Sequence, residues 1–211
     1  MSTTTYTPVG INPVRPREVA IAKARAAADG ASRSGIWVAI FAITMSFAAF
    51  TSALFVREGS AGDWTHLVLP RILYANTLVL LLSSLTLHMA GRQVKSRTLL
   101  DAPAVNAMTA WMGATFALGL LFVAGQYEAW RQLAAQGLFL ATNPNSSFFY
   151  VFTGMHILHL MGGIAVLVYM IGQLAGSHTT FRRSAFANMA IYWHFMGVLW
   201  VYLLLVLRAK I

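Results

Sequence analysis

Four histidines lie within long apolar stretches of this sequence, where an ionisable side chain is costly and therefore indicates a function. They are His88, His156, His159 and His194. Histidine commonly ligates haem iron, so paired histidines from two helices would hold a haem of b type. A metal motif is a second hypothesis, because His156 and His159 are three residues apart on one predicted helix.

The depth of each histidine in the membrane tests these hypotheses. At about 1.5 Å per residue, His156 lies about 12 Å from the outer end of its span, and His194 lies about 12 Å from the inner end of its own. These two residues cannot share one iron. His159 and His194 are closer in depth, and His88 lies near the inner end of its span. One pair of haem ligands at unequal depths therefore remains an open hypothesis. No second helix brings carboxylates to the depth of His156 and His159, which favours a hydrogen-bonded structural role over a metal site.

Glu128 is the acid nearest to a membrane span, at the outer end of the third predicted helix. A contact with His156, in the outer part of the next helix, would lock the two helices together. The alternative is an interfacial carboxylate in water. Neither a nucleophile nor a set of metal ligands accompanies Glu128 and His156. The chain also has no cysteine, which excludes thiolate chemistry. We therefore predict no catalytic residue and no metal ligand.

The elements that position these residues are membrane helices. Of the 211 residues, 58% are hydrophobic and only 10% are charged, which is far from the composition of a soluble domain. Apolar runs long enough to cross a bilayer predict an all-α membrane protein, a bundle of five transmembrane helices. The predicted spans are residues 36–56, 67–90, 104–130, 148–174 and 186–207.

The distribution of lysine and arginine predicts the orientation of the bundle. The net charge of +9 does not indicate nucleic-acid binding here, because most of the 15 basic residues lie in short segments between apolar runs. One side carries Arg15, Arg17, Lys23, Arg25, Arg33, Arg92, Lys95, Arg97, Arg182 and Arg183. The positive-inside rule then places the N-terminus in the cytoplasm and the C-terminus in the periplasm. The predicted organisation is a cytoplasmic N-terminal arm, residues 1–35, and one membrane domain, residues 36–211.

Two local patterns are similar to those of a known family. Residues 154–163, GMHILHLMGG, resemble the G-x-H-x-x-H-x-x-x-G pattern of subunit III of haem-copper respiratory oxidases. Residues 192–200, YWHFMGVLW, resemble that family's W-H-F-x-D-x-x-W. The Asn-Thr and Ser-Ser pairs within residues 76–84 and the GQYE of residues 125–128 resemble the family too, so the likeness covers nearly all of residues 36–207.

The resemblance implies a non-catalytic subunit docked on the haem- and copper-bearing subunit I, with subunit II and a small subunit IV as further partners. The chain itself would hold no redox cofactor, and phospholipid would bind to it. The implied setting is the inner membrane of a bacterium, in a proton-pumping terminal oxidase of aerobic respiration. The positions that match the family's characteristic residues, as packing or lipid-contact candidates, are Glu128, His156, His159, Gly163, Trp193, His194, Phe195 and Trp200, and His88 is a further candidate.

The sequence also departs from the family. The family often has seven spans, whereas five are predicted here, as in many bacterial oxidases. The glutamate usual in the span that corresponds to residues 36–56 is absent, with Ile43, Thr44 and Met45 in its neighbourhood, and Gly197 replaces the aspartate of the last motif. Two alternatives stay open: a haem b membrane anchor, and a subunit III-like accessory of a nitric oxide reductase or another respiratory complex.

Overall fold

Five α-helices make up the computed structural model, which describes residues 16–60, 68–96, 102–176 and 182–210. They are α1 (Pro16–Ser60), α2 (Ile72–Ser96), α3 (Ala102–Ala135), α4 (Pro144–Ala175) and α5 (Arg183–Lys210). Each is long and apolar enough to cross a membrane, which confirms the predicted number of spans, although α2 begins at Ile72 rather than at residue 67. Residues 1–15 of the predicted arm, and with them Arg15, lie outside the described residues, as does Arg97.

Helix α1 is much longer than a membrane crossing. Its 45 residues extend about 68 Å, whereas the hydrocarbon core of a bilayer is about 30 Å thick. Residues 16–35, which we assigned to the arm, therefore continue the first membrane helix. This extension is fastened to the start of α5, because Asp29 accepts a hydrogen bond from Ser184 (2.8 Å) and forms an ion pair with Arg182.

The ends of the helices follow local signals. Asn143 caps α4: its side chain accepts a hydrogen bond from the backbone N–H of Ser146 at 2.8 Å, and Pro144 occupies the first turn. We predicted that this span begins at residue 148. The first turn of α4 is polar, so an apolar run does not include it, although Asn143 caps it. After α3 the chain reverses at Gly137, whose φ of 77° suits a residue without a side chain.

The helices pack as a ring of four, α2–α3–α4–α5, with α1 placed outside it. Helix α1 packs against α5 and, less extensively, α4; among the described helices it has no contact with α2 or α3. Helix α5 therefore touches α1, α2 and α4. The buried core holds large aromatic side chains, including Phe47, Phe122, Phe152, Trp193 and Trp200.

Among the described glycines, Gly125 has the least room for a side chain, at the contact of α3 with α2. A Cβ atom at Gly125 of α3 would stand 2.0 Å from the Oδ1 atom of Asn76 on α2. Asn76 is buried, and its amide donates to the carbonyl of Phe122 at 3.5 Å, so it cannot move aside without losing that contact. Glycine is required at position 125 because any larger residue forces the two helices apart.

We predict that Gly125→Ala lowers the free energy of unfolding by about 1–3 kcal/mol, the usual cost of overpacking. Thermal unfolding of the purified chain in mild detergent measures the effect. Gly113→Ala is the matched control, since it lies on the same helix and its Cβ would meet nothing within 4 Å. Equal stability of the two variants would contradict the tight α2–α3 contact.

Candidate functional site

Two buried tryptophans fasten α5 to α2. The indole N–H of Trp193 donates to Ser83 Oγ at 3.1 Å, and that of Trp200 donates to Thr77 Oγ1 at 3.0 Å. The two tryptophans are seven residues apart, so they lie two turns apart on one face of α5. Each hydroxyl also donates to a carbonyl of its own helix, Ser83 to Leu80 and Thr77 to Leu73. All four polar groups are thus satisfied where no water is available.

His156 lies in the centre of the bundle beside these tryptophans. It is completely buried, with its ring 5.8 Å from that of Phe122 and 5.2 Å from that of Trp200. Neither ring nitrogen has a hydrogen-bond partner among the described residues. The hydrogen-bonded structural role that we predicted for His156 is therefore wrong in this structure, where aromatic packing holds the ring.

Gln126 is a second buried polar residue in the same part of the bundle. It lies one turn after Phe122 and one turn before Trp130, whose indole N–H donates to Thr153 Oγ1 of α4 at 3.0 Å. Neither its amide nitrogen nor its amide oxygen has a partner among the described residues. Gln126 belongs to the GQYE pattern of residues 125–128, and we predicted no role for it. The signal was its spacing of four residues from an aromatic residue on either side.

Glu128 does not contact His156. Its carboxylate accepts a hydrogen bond from Gln132 at 3.3 Å and pairs with Arg131 at 3.4 Å, both on its own helix. Because its side chain is 42% exposed, Glu128 belongs to the surface of α3. The predicted lock between the third and fourth helices is wrong. Contacts of Trp130 with Thr153 and of Tyr150 with the carbonyl of Leu138 (2.9 Å) join this end of the bundle instead.

His159 and Gly163 lie where α4 meets α1 and α5. The Nδ1 atom of His159 lies 2.7 Å from the carbonyl of Met155, and its ring is 5.9 Å from that of Phe47 on α1. Tyr192 of α5 donates to the carbonyl of His159 at 2.8 Å. A Cβ at Gly163 would approach the Tyr192 ring to 3.1 Å, so this glycine allows the tyrosine to lie flat against α4.

The remaining candidates lie on α2 and α5. His88 is exposed and His194 is half-buried, and both line one cavity together with Arg92 and Arg183. Phe195 is half-buried against the core. The four histidines thus occupy three different surroundings: an aromatic core for His156, the α1–α4 contact for His159, and the cavity for His88 and His194.

The described residues contain no group of three or more His, Cys, Asp or Glu side chains placed to hold a metal ion. What the site offers chemically is a set of interhelical hydrogen bonds and aromatic contacts at membrane depth. This arrangement, on five helices of membrane length, defines a polytopic membrane protein with hydrogen bonds between buried side chains of neighbouring helices.

A comparison with protein families identifies this membrane protein further. Residues 30–209 match the family model of cytochrome c oxidase subunit III. The chain belongs to this family, which confirms the resemblance to subunit III of haem-copper oxidases. The match spans every described helix from the end of the α1 extension to the end of α5.

Individual proteins named as this subunit are similar to most of the chain. Cytochrome c oxidase subunit 3 of Thermostichus vulcanus is 29% identical over 177 residues, covering 80% of this chain and 82% of the relative. The probable cytochrome c oxidase subunit 3 of Mycobacterium bovis is 30% identical over 165 residues, covering 76% and 77%. The subunit 3 of Alkalihalophilus pseudofirmus is 28% identical over 185 residues, covering 85% and 87%.

We predict opposite effects for two substitutions of His156. His156→Ala leaves a cavity against Phe122 and Trp200 and lowers the free energy of unfolding by about 2–4 kcal/mol. His156→Phe keeps a ring of similar shape and removes two unpaired nitrogens, so its stability matches or exceeds that of the wild type. Thermal unfolding in detergent measures both. A phenylalanine variant as unstable as the alanine variant would mean that the ring nitrogens have a partner.

Proposed function

We propose that this chain is the non-catalytic subunit III of a bacterial, proton-pumping haem-copper terminal oxidase, docked on subunit I. The observation that carries the proposal is the family match across residues 30–209, which includes the interhelical contacts of the candidate site. The reaction of the complex is the transfer of electrons to dioxygen in aerobic respiration. Subunit II and a small subunit IV complete the proposed assembly.

The proposal that the redox chemistry belongs to other subunits rests on this chain's side chains. It has no cysteine, and its described residues bring no three potential metal ligands together. His156 faces aromatic rings, and His159 contacts its own helix. Haem and copper are therefore assigned to the partner subunits, and no cofactor is assigned to this chain.

The proposed location is the cytoplasmic membrane, with the N-terminus in the cytoplasm and the C-terminus in the periplasm. Under this orientation the α1 extension, the α2 end that carries Arg92 and the α5 start at Arg183 all lie on the cytoplasmic side. Their positive charges are what the positive-inside rule requires there.

A partner surface is proposed on α1. Small residues recur on its exposed side at spacings of four, three and four, at Ala42, Ser46, Ala49 and Ala53. Small residues allow helix backbones to approach closely in lipid, where van der Waals packing drives association. Since α1 contacts only α5 and α4 within the described bundle, this side is open to a helix of subunit I.

Lipid binding and support of proton uptake are proposed as contributions of subunit III to the complex. The proposal includes no direct proton-carrying role within the bilayer, because the family's glutamate and aspartate are replaced by uncharged residues here, around Ile43 and at Gly197. Support for proton uptake would therefore act through the packing of subunit I and its lipid.

We predict that a tag on this chain brings down subunits I and II from membranes dissolved in mild detergent. Mass spectrometry identifies the partners, and a reduced-minus-oxidised visible spectrum detects haem in the complex. A haem b spectrum that stays with the isolated chain would replace the proposal with a cytochrome anchor. Subunits of a nitric oxide reductase in the eluate would assign the chain to that complex.

We predict that Ala49→Leu reduces the recovery of subunit I with the tagged chain severalfold and leaves the unfolding temperature of the chain unchanged. The leucine side chain points away from the described bundle and obstructs only an approaching partner helix. Ala117→Leu is the control, because Ala117 is also exposed but lies on α3, which α1 does not contact. Equal recovery with both variants would place the docking surface elsewhere.

A further inference from the structure

Two ion pairs join α1 to the two ends of α5. Asp29 pairs with Arg182, which directly precedes α5, and Glu58 pairs with Lys210 at 3.0 Å. In both pairs the acid lies on α1. The chain has only six acidic residues against 15 basic ones, and within the described residues no other ion pair joins two helices. Charged contacts between helices are therefore specific to the attachment of α1.

The separation of the two ion pairs matches the thickness of a bilayer. Glu58 lies 29 residues after Asp29, which is about 44 Å along a helix. A bilayer with its headgroup regions is about 40–45 Å thick, so one pair lies at each membrane surface. The four side chains are between 25% and 51% exposed. Water and salt thus reach these contacts, whereas the hydrogen bonds between α2 and α5 lie at membrane depth.

Between the two ion pairs, the contacts of α1 restrain sliding along its axis only weakly. Its buried residues there are apolar, at Ile43, Phe47 and Leu54. In lipid no hydrophobic force drives helices together, so an apolar face restrains sliding less than a polar contact does. Tyr202 donates to Thr51 Oγ1 at 2.9 Å, but both groups are neutral, and such a bond is weaker than a charge-assisted one. The ion pairs are therefore the main restraint on the height of α1 in the membrane.

A shift of α1 along its axis would break both ion pairs at once. One helical turn is about 5.4 Å, whereas an ion pair requires its charged atoms to lie within about 4 Å of each other. The same shift would move every residue between Asp29 and Glu58 relative to the four-helix ring. These include the small residues of the proposed partner surface, which are Ala42, Ser46, Ala49 and Ala53.

We propose that the two ion pairs, Asp29 with Arg182 and Glu58 with Lys210, form a clamp that sets the height of α1 and thereby the depth at which its small residues meet subunit I. Asp29 and Glu58 are then positioning residues, because they act through the placement of α1 and do not touch the partner. The inference rests on the proposed function for the identity of that partner. Since the clamp consists of partly exposed charges, it loosens as ionic strength rises.

The test follows the height of α1 by disulfide formation in membranes. The chain has no cysteine, so an introduced pair is the only one in it. Asn188→Cys with Ser32→Cys reports the height seen in this structure, where the two native side chains are 2.9 Å apart. Asn188→Cys with Ala28→Cys, or with Ile36→Cys, reports a shift of α1 by about one turn in either direction.

Asp29→Asn with Glu58→Gln removes both acids of the clamp. An exposed ion pair contributes up to about a factor of five to an equilibrium. We therefore expect a shifted disulfide to form up to about 25 times faster in this variant, and less subunit I to be recovered with the tagged chain. Glu58→Lys with Lys210→Glu exchanges the charges of one pair and is expected to keep the wild-type pattern, whereas Glu58→Lys alone is not.

The matched control is Glu18→Gln with Glu128→Gln, which changes the net charge of the chain equally. Glu128 pairs within α3, and Glu18 lies 11 residues before Asp29, about 16 Å beyond the contact with α5. An equal rise in shifted disulfides with the control would overturn the clamp, and so would no rise with the Asp29/Glu58 variant.

Two further outcomes separate the clamp from the proposed function. Shifted disulfides with full recovery of subunit I would overturn the role of the clamp in docking. If the wild-type chain brings down no oxidase subunit, the proposed function fails, and the disulfides formed in the chain alone still decide whether the ion pairs set the height of α1.

Discussion

A polar group buried among these helices has no water to bond with, and this constraint explains how α5 is placed. An indole N–H at membrane depth needs an acceptor on a neighbouring helix, and Trp193 and Trp200 find theirs in the hydroxyls of Ser83 and Thr77. Two such bonds, two turns apart on α5, fix both the rotation of that helix and its height against α2. On its other sides α5 contacts α1 and α4.

The number and type of the helices could be predicted from the sequence because crossing a bilayer requires a long apolar run whatever the helices pack against. Their ends were less predictable. The extension of α1 and the first turn of α4 are polar, so the length of an apolar run does not predict where these helices begin. The capping residue Asn143 was the better signal for the start of α4. His156 and Trp200, which match the family patterns, have their rings 5.2 Å apart, but this contact was not predicted.

The pairing of side chains could not be predicted in the same way, since it depends on the rotation of each helix about its own axis. Glu128 and His156 have compatible depths, yet Glu128 faces outward toward Arg131 while His156 faces the centre of the bundle. Hydrophobic periodicity is weak in a helix that is apolar on every side, so it does not reveal which side faces inward. The spacing of Gln126 from Phe122 and Trp130 was a signal, but in a helix that is apolar on every side this spacing does not show that the glutamine faces inward.

The polar residues of this membrane protein therefore divide by location. Those inside the ring either satisfy one another, as the tryptophans and hydroxyls do, or stand unpaired among aromatic rings, as His156 and Gln126 do. Those on the outside lie where helices end or where two helices leave a groove, and there charge can act on a neighbour. In the proposed assembly, such outer surfaces are where this chain would meet its partner helices. The exposed small residues of α1 lie on one of these outer surfaces, so a substitution there, such as Ala49→Leu, changes the outer surface while the contacts inside the ring stay as they are.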